Sequence, residues 1–176
     1  MAHALIAVTV IGPDRPGIVA AVTRVLYERG CNLEDASSTI LRGHFSMVLI
    51  VRIAESAEVE GVRSALRESA DDLGLVVTAR PVAETEARVP SPTHTVSVYG
   101  ADRPGIVFRV ARALADASVN ITDLTSRIIG PAEHPVYALI MEVVAPGGRD
   151  PAGPLAGVAE ELGVDVTVRE TQADVL

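Results

Sequence analysis

The chain has 176 residues, room for one medium domain or two small ones, and 48% of it is hydrophobic, enough for a packed core and against a disordered chain. Its formal net charge is −8 and its 15 basic residues are arginines scattered along the chain, which argues against the clustered cations a nucleic-acid surface needs. The single cysteine, Cys31, cannot close an internal disulfide, and neither a leader-like start nor a membrane-length apolar run is present; a cytoplasmic protein with no membrane partner is expected.

The apolar residues are mostly Val, Ile, Leu and Ala, with two Phe, three Tyr and no Trp, a palette suited to strands packed on helices. A first strand, 4–11, should stop at Gly12-Pro13. A helix should follow from about Pro16, with Asp14 or Arg15 at its cap and the proline in the first turn. Ile18, Val19, Val22, Val25 and Leu26 fall on one helical face, and Gly30 ends the helix. Strands over 32–41 and 45–53 flank an Arg42-Gly43-His44 turn. A second helix over about 56–73 presents Val59, Val62, Leu66 and Leu73 on one side, and 75–79 closes the unit.

Residues 82–92, rich in Pro, Glu and Ala without periodicity, read as a linker. It separates module 1 (1–81) from module 2 (93–176). Module 2 repeats the order: strand 93–99, helix 104–117, strands 119–129 and 136–144, a helix from Pro151 capped by Asp150, and strand 164–168. Asp14-Arg15-Pro16-Gly17-Ile18-Val19 recurs as Asp102-Arg103-Pro104-Gly105-Ile106-Val107, an offset of 88 residues. Val8, Val10, Gly12, Val22, Leu26, Asn32, Asp35 and Ser38 meet identical residues at the same offset, so the chain is an internal duplication. Strand-helix-strand-strand-helix-strand gives an α+β fold, two tandem ferredoxin-like βαββαβ modules. Each would be a four-stranded antiparallel sheet with both helices on one face.

Two features carry chemistry. The Gly12–Gly17 and Gly100–Gly105 loops deliver a helix N-terminus, whose unpaired N–H groups favour a carboxylate, and Gly17 and Gly105 let a ligand approach the backbone. The plainer reading is a turn alone, but duplication of a turn does not require the same Asp-Arg-Pro-Gly twice. Asn32 and Asn120 open the following strands, and a side-chain amide can donate to a carboxylate and accept from an ammonium. Asp35 and Asp123 could balance an ammonium charge. Against these stand local readings, with Asn capping the helix near Gly30 and both Asp on a solvated edge, since residues of these types commonly bond to nearby backbone.

Catalysis finds little support. The four histidines stand at unrelated positions, Cys31 reads as an inert thiol, and no nucleophile elbow, Gly-Lys phosphate loop, Gly-x-Gly-x-x-Gly or Asp-x-Asp motif occurs. No catalytic residue, metal site or cofactor is expected. RNA recognition on the same topology would need exposed aromatics and a basic sheet.

On Gly12 to Val19, Gly30-Cys31-Asn32-Leu33 and Phe45-Ser46-Met47, with their counterparts Gly100 to Val107, Val119 to Leu124 and Tyr137-Ala138-Leu139, the chain resembles the ACT domain family over nearly its whole length. The resemblance implies a non-catalytic, amino-acid-sensing regulatory protein whose ligand lies between two modules packed side by side. It places the ligand-binding residues at Gly12, Asp14, Arg15, Gly17, Ile18, Asn32 and Leu33, and at Gly100, Asp102, Arg103, Gly105, Ile106, Asn120 and Ile121. It also implies action through contact with a regulator or enzyme protein, including transcriptional regulation, without direct nucleic-acid binding. An alternative is a regulatory fragment or subunit of an enzyme of amino-acid or formyltetrahydrofolate metabolism. The copies differ where Ser118 replaces Gly30 and where Gly130 to Pro135 lengthens the second hairpin.

Strand alternation also predicts a surface. Phe45, Met47, Leu49, Val51, Val8 and Val10 should lie under the helices. The open face of module 1 then carries Leu5, Ala7, Thr9, Ile11, Val48 and Ile50, against Thr93, Thr95, Ser97, Tyr99, Ile140 and Glu142 in module 2. The more apolar face should be covered, which predicts a homodimer through the open sheet face of module 1.

Overall fold

The computed structural model describes residues 4–53, 59–83 and 90–171. The chain divides into two compact units, Met1–Ala87 and Arg88–Leu176. The first holds β1 (Ala4–Pro13), α1 (Ile18–Glu28), β2 (Asn32–Leu41), β3 (His44–Ile53), α2 (Val59–Asp71) and β4 (Val76–Val82). The second holds β5 (His94–Gly100), α3 (Ile106–Asp116), β6 (Asn120–Ile129), β7 (Val136–Val144), α4 (Ala152–Leu162) and β8 (Asp165–Glu170). Each is a four-stranded antiparallel sheet, ordered β2-β3-β1-β4 and β6-β7-β5-β8.

Period-two burial explains why these segments are strands. Ile6, Val8 and Val10 of β1 join Met47, Leu49 and Val51 of β3 and Val77 and Ala79 of β4 in one core with Ile18, Val22, Val25 and Leu26 of α1 and Val62 and Leu66 of α2. Module 2 packs Val96, Val98, Leu139, Met141 and Val143 on Ile106, Val110, Leu114 and Leu155 in the same way. Both helices therefore cover one face, and the other face is open. Val19 departs from its expected place and is 48% exposed, because it lies on the flank of α1 towards the edge strand, where no second helix covers it.

The helix starts need correction. α1 begins at Ile18, and Gly17, not Asp14 or Arg15, holds the cap position, with φ 96° and ψ −8° and no side chain capping it. Gly105 repeats this at φ 96° and ψ −6°. Those angles suit the third residue of a type II turn with proline second, so Pro16 and Pro104 stand in a turn before the helix, not in its first turn. Strand β1 also runs through Pro13, past the expected stop. There it pairs only with β3, since the ladder with β4 ends at Ile11, and the missing proline N–H leaves no gap on that side. α4 begins at Ala152 with Pro151 at the cap position, and Asp150, two residues before the helix, accepts from the Ala152 N–H on Oδ1 at 2.8 Å. The expected second helix of module 1 included residues 56–58, which lie outside the described residues.

The turns show which sequence differences matter. Gly30, at φ 65°, closes α1 by donating to the Tyr27 carbonyl at 3.0 Å while Cys31 donates to Leu26 at 2.9 Å. Ser118 closes α3 in the same way, donating to the Ala115 carbonyl at 2.9 Å while Val119 donates to Leu114 at 2.8 Å, but it holds φ 59° with a side chain attached. The substitution keeps the geometry and adds strain. Ser118→Gly should therefore stabilise the protein by about 0.5–1 kcal/mol and Gly30→Ser should cost about as much, read as opposite shifts of the urea midpoint.

Candidate functional site

The two glycines of each loop do different work. A Cβ at Gly12 would lie 2.6 Å from Leu75 Cδ2 and 3.0 Å from the Gly74 carbonyl oxygen. One at Gly100 would lie 2.6 Å from Val164 Cγ1 and 3.3 Å from its Cα. These glycines let β1 and β5 pass close to the segment entering the last strand. At Gly17 and Gly105 nothing stands within 4 Å, and only the positive φ calls for glycine. Space for a ligand exists at the second glycine of each loop and not at the first.

Beyond Gly17, the first intrahelical bond runs from Ala21 to the Gly17 carbonyl at 2.9 Å, and Arg109 repeats it on Gly105. The N–H groups of the preceding turn have no partner within the helix. With no side chain capping either end, they form a positive edge suited to an anion. In module 1 this edge borders a hollow of 480 Å³ lined by Asp14, Arg15, Gly17, Val19, Ile40 and Phe45 among others. Its floor is apolar, since Phe45 is buried while Val19 and Ile40 are half open. The Asp14 N–H donates to the Gly43 carbonyl at 2.8 Å, tying the loop to the β2–β3 turn, where Arg42 and Gly43 both have positive φ. Among the described residues Asp102 makes no such bond; the longer β6–β7 connection replaces that turn.

The arginines of the motif have a role inside their own modules. Arg103 Nη1 donates to the Leu162 carbonyl at 3.4 Å, at the negative end of α4. Arg15 reaches the equivalent place, its Nη2 4.0 Å from the Cβ position of Gly74. Ile18 and Ile106 are core side chains at 2% exposure, so only their backbone N–H groups are available to a ligand. Asp14 and Asp102 are exposed.

The asparagines lie elsewhere. Asn32 pairs across β3 with Arg52, which faces Leu5, while Gly12 is seven residues further along β1. That separates Asn32 from the loop of its own module by about 24 Å at 3.4 Å per residue. Asn120, opposite Val144, stands at the same remove from Gly100. Both asparagines are exposed, and neither side chain hydrogen-bonds to another described group, so they do not cap the preceding helix. Leu33 is 42% exposed and Ile121 packs partly against its core. A bulge follows each, between Leu33 and Asp35 and between Ile121 and Asp123. Asp35 Oδ1 accepts from the Ala36 N–H at 2.8 Å, the local bonding expected of an edge aspartate. The bulged Glu34 ion-pairs with Arg52, an interaction with no warning in the sequence because bulges leave no periodicity signal.

Among the described residues no group of three or more His, Cys, Asp or Glu could hold a metal, and no helix is long and apolar enough to cross a membrane.

Comparison with known proteins identifies the family of both modules. Models of the ACT domain match residues 4–80 and 94–162. The glycine cleavage system transcriptional repressor of Escherichia coli is 35% identical over 134 residues, 72% of this chain and 66% of the repressor. A phosphoserine phosphatase of Mycobacterium tuberculosis is 33% identical over 172 residues, which cover 93% of this chain and 40% of the phosphatase. The crystal structure of a Galdieria sulphuraria protein of unknown function superposes with a TM-score of 0.81 at 26% identity, covering 97% of this chain and 99% of that one.

The two glycine roles are separable by experiment. Gly100→Ala, pressed against a β-branched side chain, should cost roughly 1–3 kcal/mol of stability, whereas Gly105→Ala should cost about 1 kcal/mol from backbone strain alone. Chemical denaturation followed by circular dichroism measures both. Equal losses would contradict the packing role of Gly100.

Proposed function

The chain belongs to the ACT domain family, as two modules in tandem, and from that premise we propose that it is a non-catalytic sensor of a small amino acid that regulates another protein by contact. The observation that carries this reading is the uncapped helix N-terminus beside an unobstructed Gly17 or Gly105, present in both copies. The ligand carboxylate would take the free N–H groups there, and in module 1 its side chain would rest on the apolar floor formed by Val19, Ile40 and Phe45. Since Asn32 and Asn120 lie far from the loops of their own modules, the asparagine would come from a second module paired with the first. The unbonded side-chain amides are free to donate to the carboxylate and accept from the ammonium.

A thermal-shift screen of the twenty amino acids tests the reading, since a ligand of the native state raises its apparent stability. Asn32→Ala and Asn120→Ala should each weaken binding of the ligand so found by about 1–3 kcal/mol in calorimetry while leaving the fold intact. Unchanged affinity in both variants would remove the asparagines from the site but leave the loops.

The protein contacted would be a regulator, in keeping with the similarity to the glycine cleavage repressor, and the place of action cytoplasmic, with no direct contact to nucleic acid. A second reading, favoured by the phosphatase match across 93% of the chain, makes the paired modules the regulatory part of an enzyme of amino-acid metabolism. An amino-acid-dependent change in phosphoserine phosphatase rate on addition of the chain would favour this second reading.

We also assign the open face of module 1 to a homodimer. Ile11 and Val48 are 49% and 45% exposed there, and Leu5 and Ile50 are half-buried beside them. Val48→Glu and Ile50→Glu should convert a dimer to a monomer in light scattering. A dimer that survives both would remove this interface.

A further inference from the structure

On the open face of module 1 one cross-strand row reads Asp35, Ile50, Ala7, Arg80 from the β2 edge to the β4 edge. The matching row of module 2 reads Asp123, Glu142, Thr95, Arg169. The two middle positions have diverged from Ile and Ala to Glu and Thr, yet an aspartate stands at one edge and an arginine at the other in both copies. Three strand spacings, about 14 Å, separate the two charges of a row, so they do not meet within a sheet. All four residues are exposed, and none forms an ion pair with another described side chain. Beyond the local bond of Asp35 to the Ala36 N–H, the two charges of a row have no partner inside their module among the described residues.

They acquire one when a second sheet face is laid on the first. Packed sheets align their strands to within about 30° or cross them near 90°. With a two-fold axis parallel to the strands, the β2 edge of one copy lies over the β4 edge of the other. Asp35 then faces the partner's Arg80, and Arg80 faces the partner's Asp35. Rotating the axis by 45° gives the orthogonal stack, in which the two rows cross and Asp35 no longer lies over the partner's Arg80. An axis perpendicular to the strands leaves both charges unmatched. One row with an acid at one end and a base at the other thus selects a single stacking geometry. The apolar part of the face, with Ile11 and Val48 and, at the β4 edge, Val76 at 63% exposed, supplies attraction that carries no direction.

We propose that Asp35 and Arg80 orient the stacking of two copies of this chain, open face of module 1 on open face of module 1, with strands aligned about a two-fold axis. This rests on the reading that this face meets a second copy. The pairs form twice, as a two-fold interface requires. They act by favouring the aligned stack, in which opposite charges meet across the interface, over the orthogonal one, in which they do not.

The test uses the full chain in two variants, Asp35→Arg and Arg80→Asp, by sedimentation at graded concentrations. Each variant alone carries one sign of charge at both ends of the row and repels its own copy, so self-association should weaken at least about tenfold. In an equimolar mixture, rows of opposite sign face one another, and association should return to within about threefold of the unsubstituted protein. Recovery on mixing also shows that both variants fold. An unsubstituted chain that stays monomeric would overturn the face as an interface and this inference with it. A dimer that both variants leave intact, or variants that stay apart when mixed, would overturn the orienting role and leave the face as an interface.

Discussion

Each sheet of this protein has four strands and helices on one side only, and most of what the molecule offers to others follows from that constraint. Ile6, Val8 and Val10 are completely buried beneath α1 and α2. Because successive strand residues point to opposite sides, burying them turns Leu5, Ala7, Thr9 and Ile11 outward. Coverage also stops short of the edge strand. Ile40 and Leu33 sit on the helix side of β2, opposite the buried Phe45 and Val51, yet are 56% and 42% exposed. The uncovered places are therefore the open face, the flank of β2 and the helix N-terminus next to it. The last two meet in the hollow at Gly17.

The duplication separates what the module needs from what a copy can change. Gly12 and Gly100 are held by contact with Leu75 and Val164, and Gly17 and Gly105 by the same turn angles, so the loop backbone survives in both copies. Ser118 keeps the hydrogen bonds of Gly30 despite a conformation unfavourable to it. What differs is the turn facing the loop. In module 1 the Gly43 carbonyl holds the Asp14 N–H, and module 2 has a longer connection there. The two loops therefore share a backbone geometry, while among the described residues only the first is tied to the turn that faces it.

Element order, sheet pairing and most of the core could be read from the sequence because they rest on strong periodicities. Alternation marked β1, β3, β5 and β7, and Val62 and Leu66 fell on the inner side of α2 as their spacing requires. The helix starts could not be read this way, because Pro-Gly serves equally as a first helical turn and as a type II turn, and the choice depends on Gly17 adopting φ 96°. Val19 departs from its expected face for a related reason. Helical spacing defines a face but not where the opposing sheet ends, and Val19 lies beyond that limit. Arg15 and Arg103 belong to the same motif as the glycines, and only the fold reveals that they reach the C-terminal ends of α2 and α4 in their own modules.

The candidate site is scattered along the sequence for the same topological reason that it is divided in space. A strand followed by a helix returns the chain to the end from which it started, so β2 must begin at the end of the sheet opposite the β1–α1 loop. Asn32 and Gly17 are only fifteen positions apart in the chain, but the helix between them carries the backbone along the full length of β1. One βαββαβ unit of this kind presents its loop at one end and its asparagine at the other. A molecule the size of an amino acid cannot span the roughly 24 Å between them, so the loop and the asparagine of one module cannot hold one such molecule together.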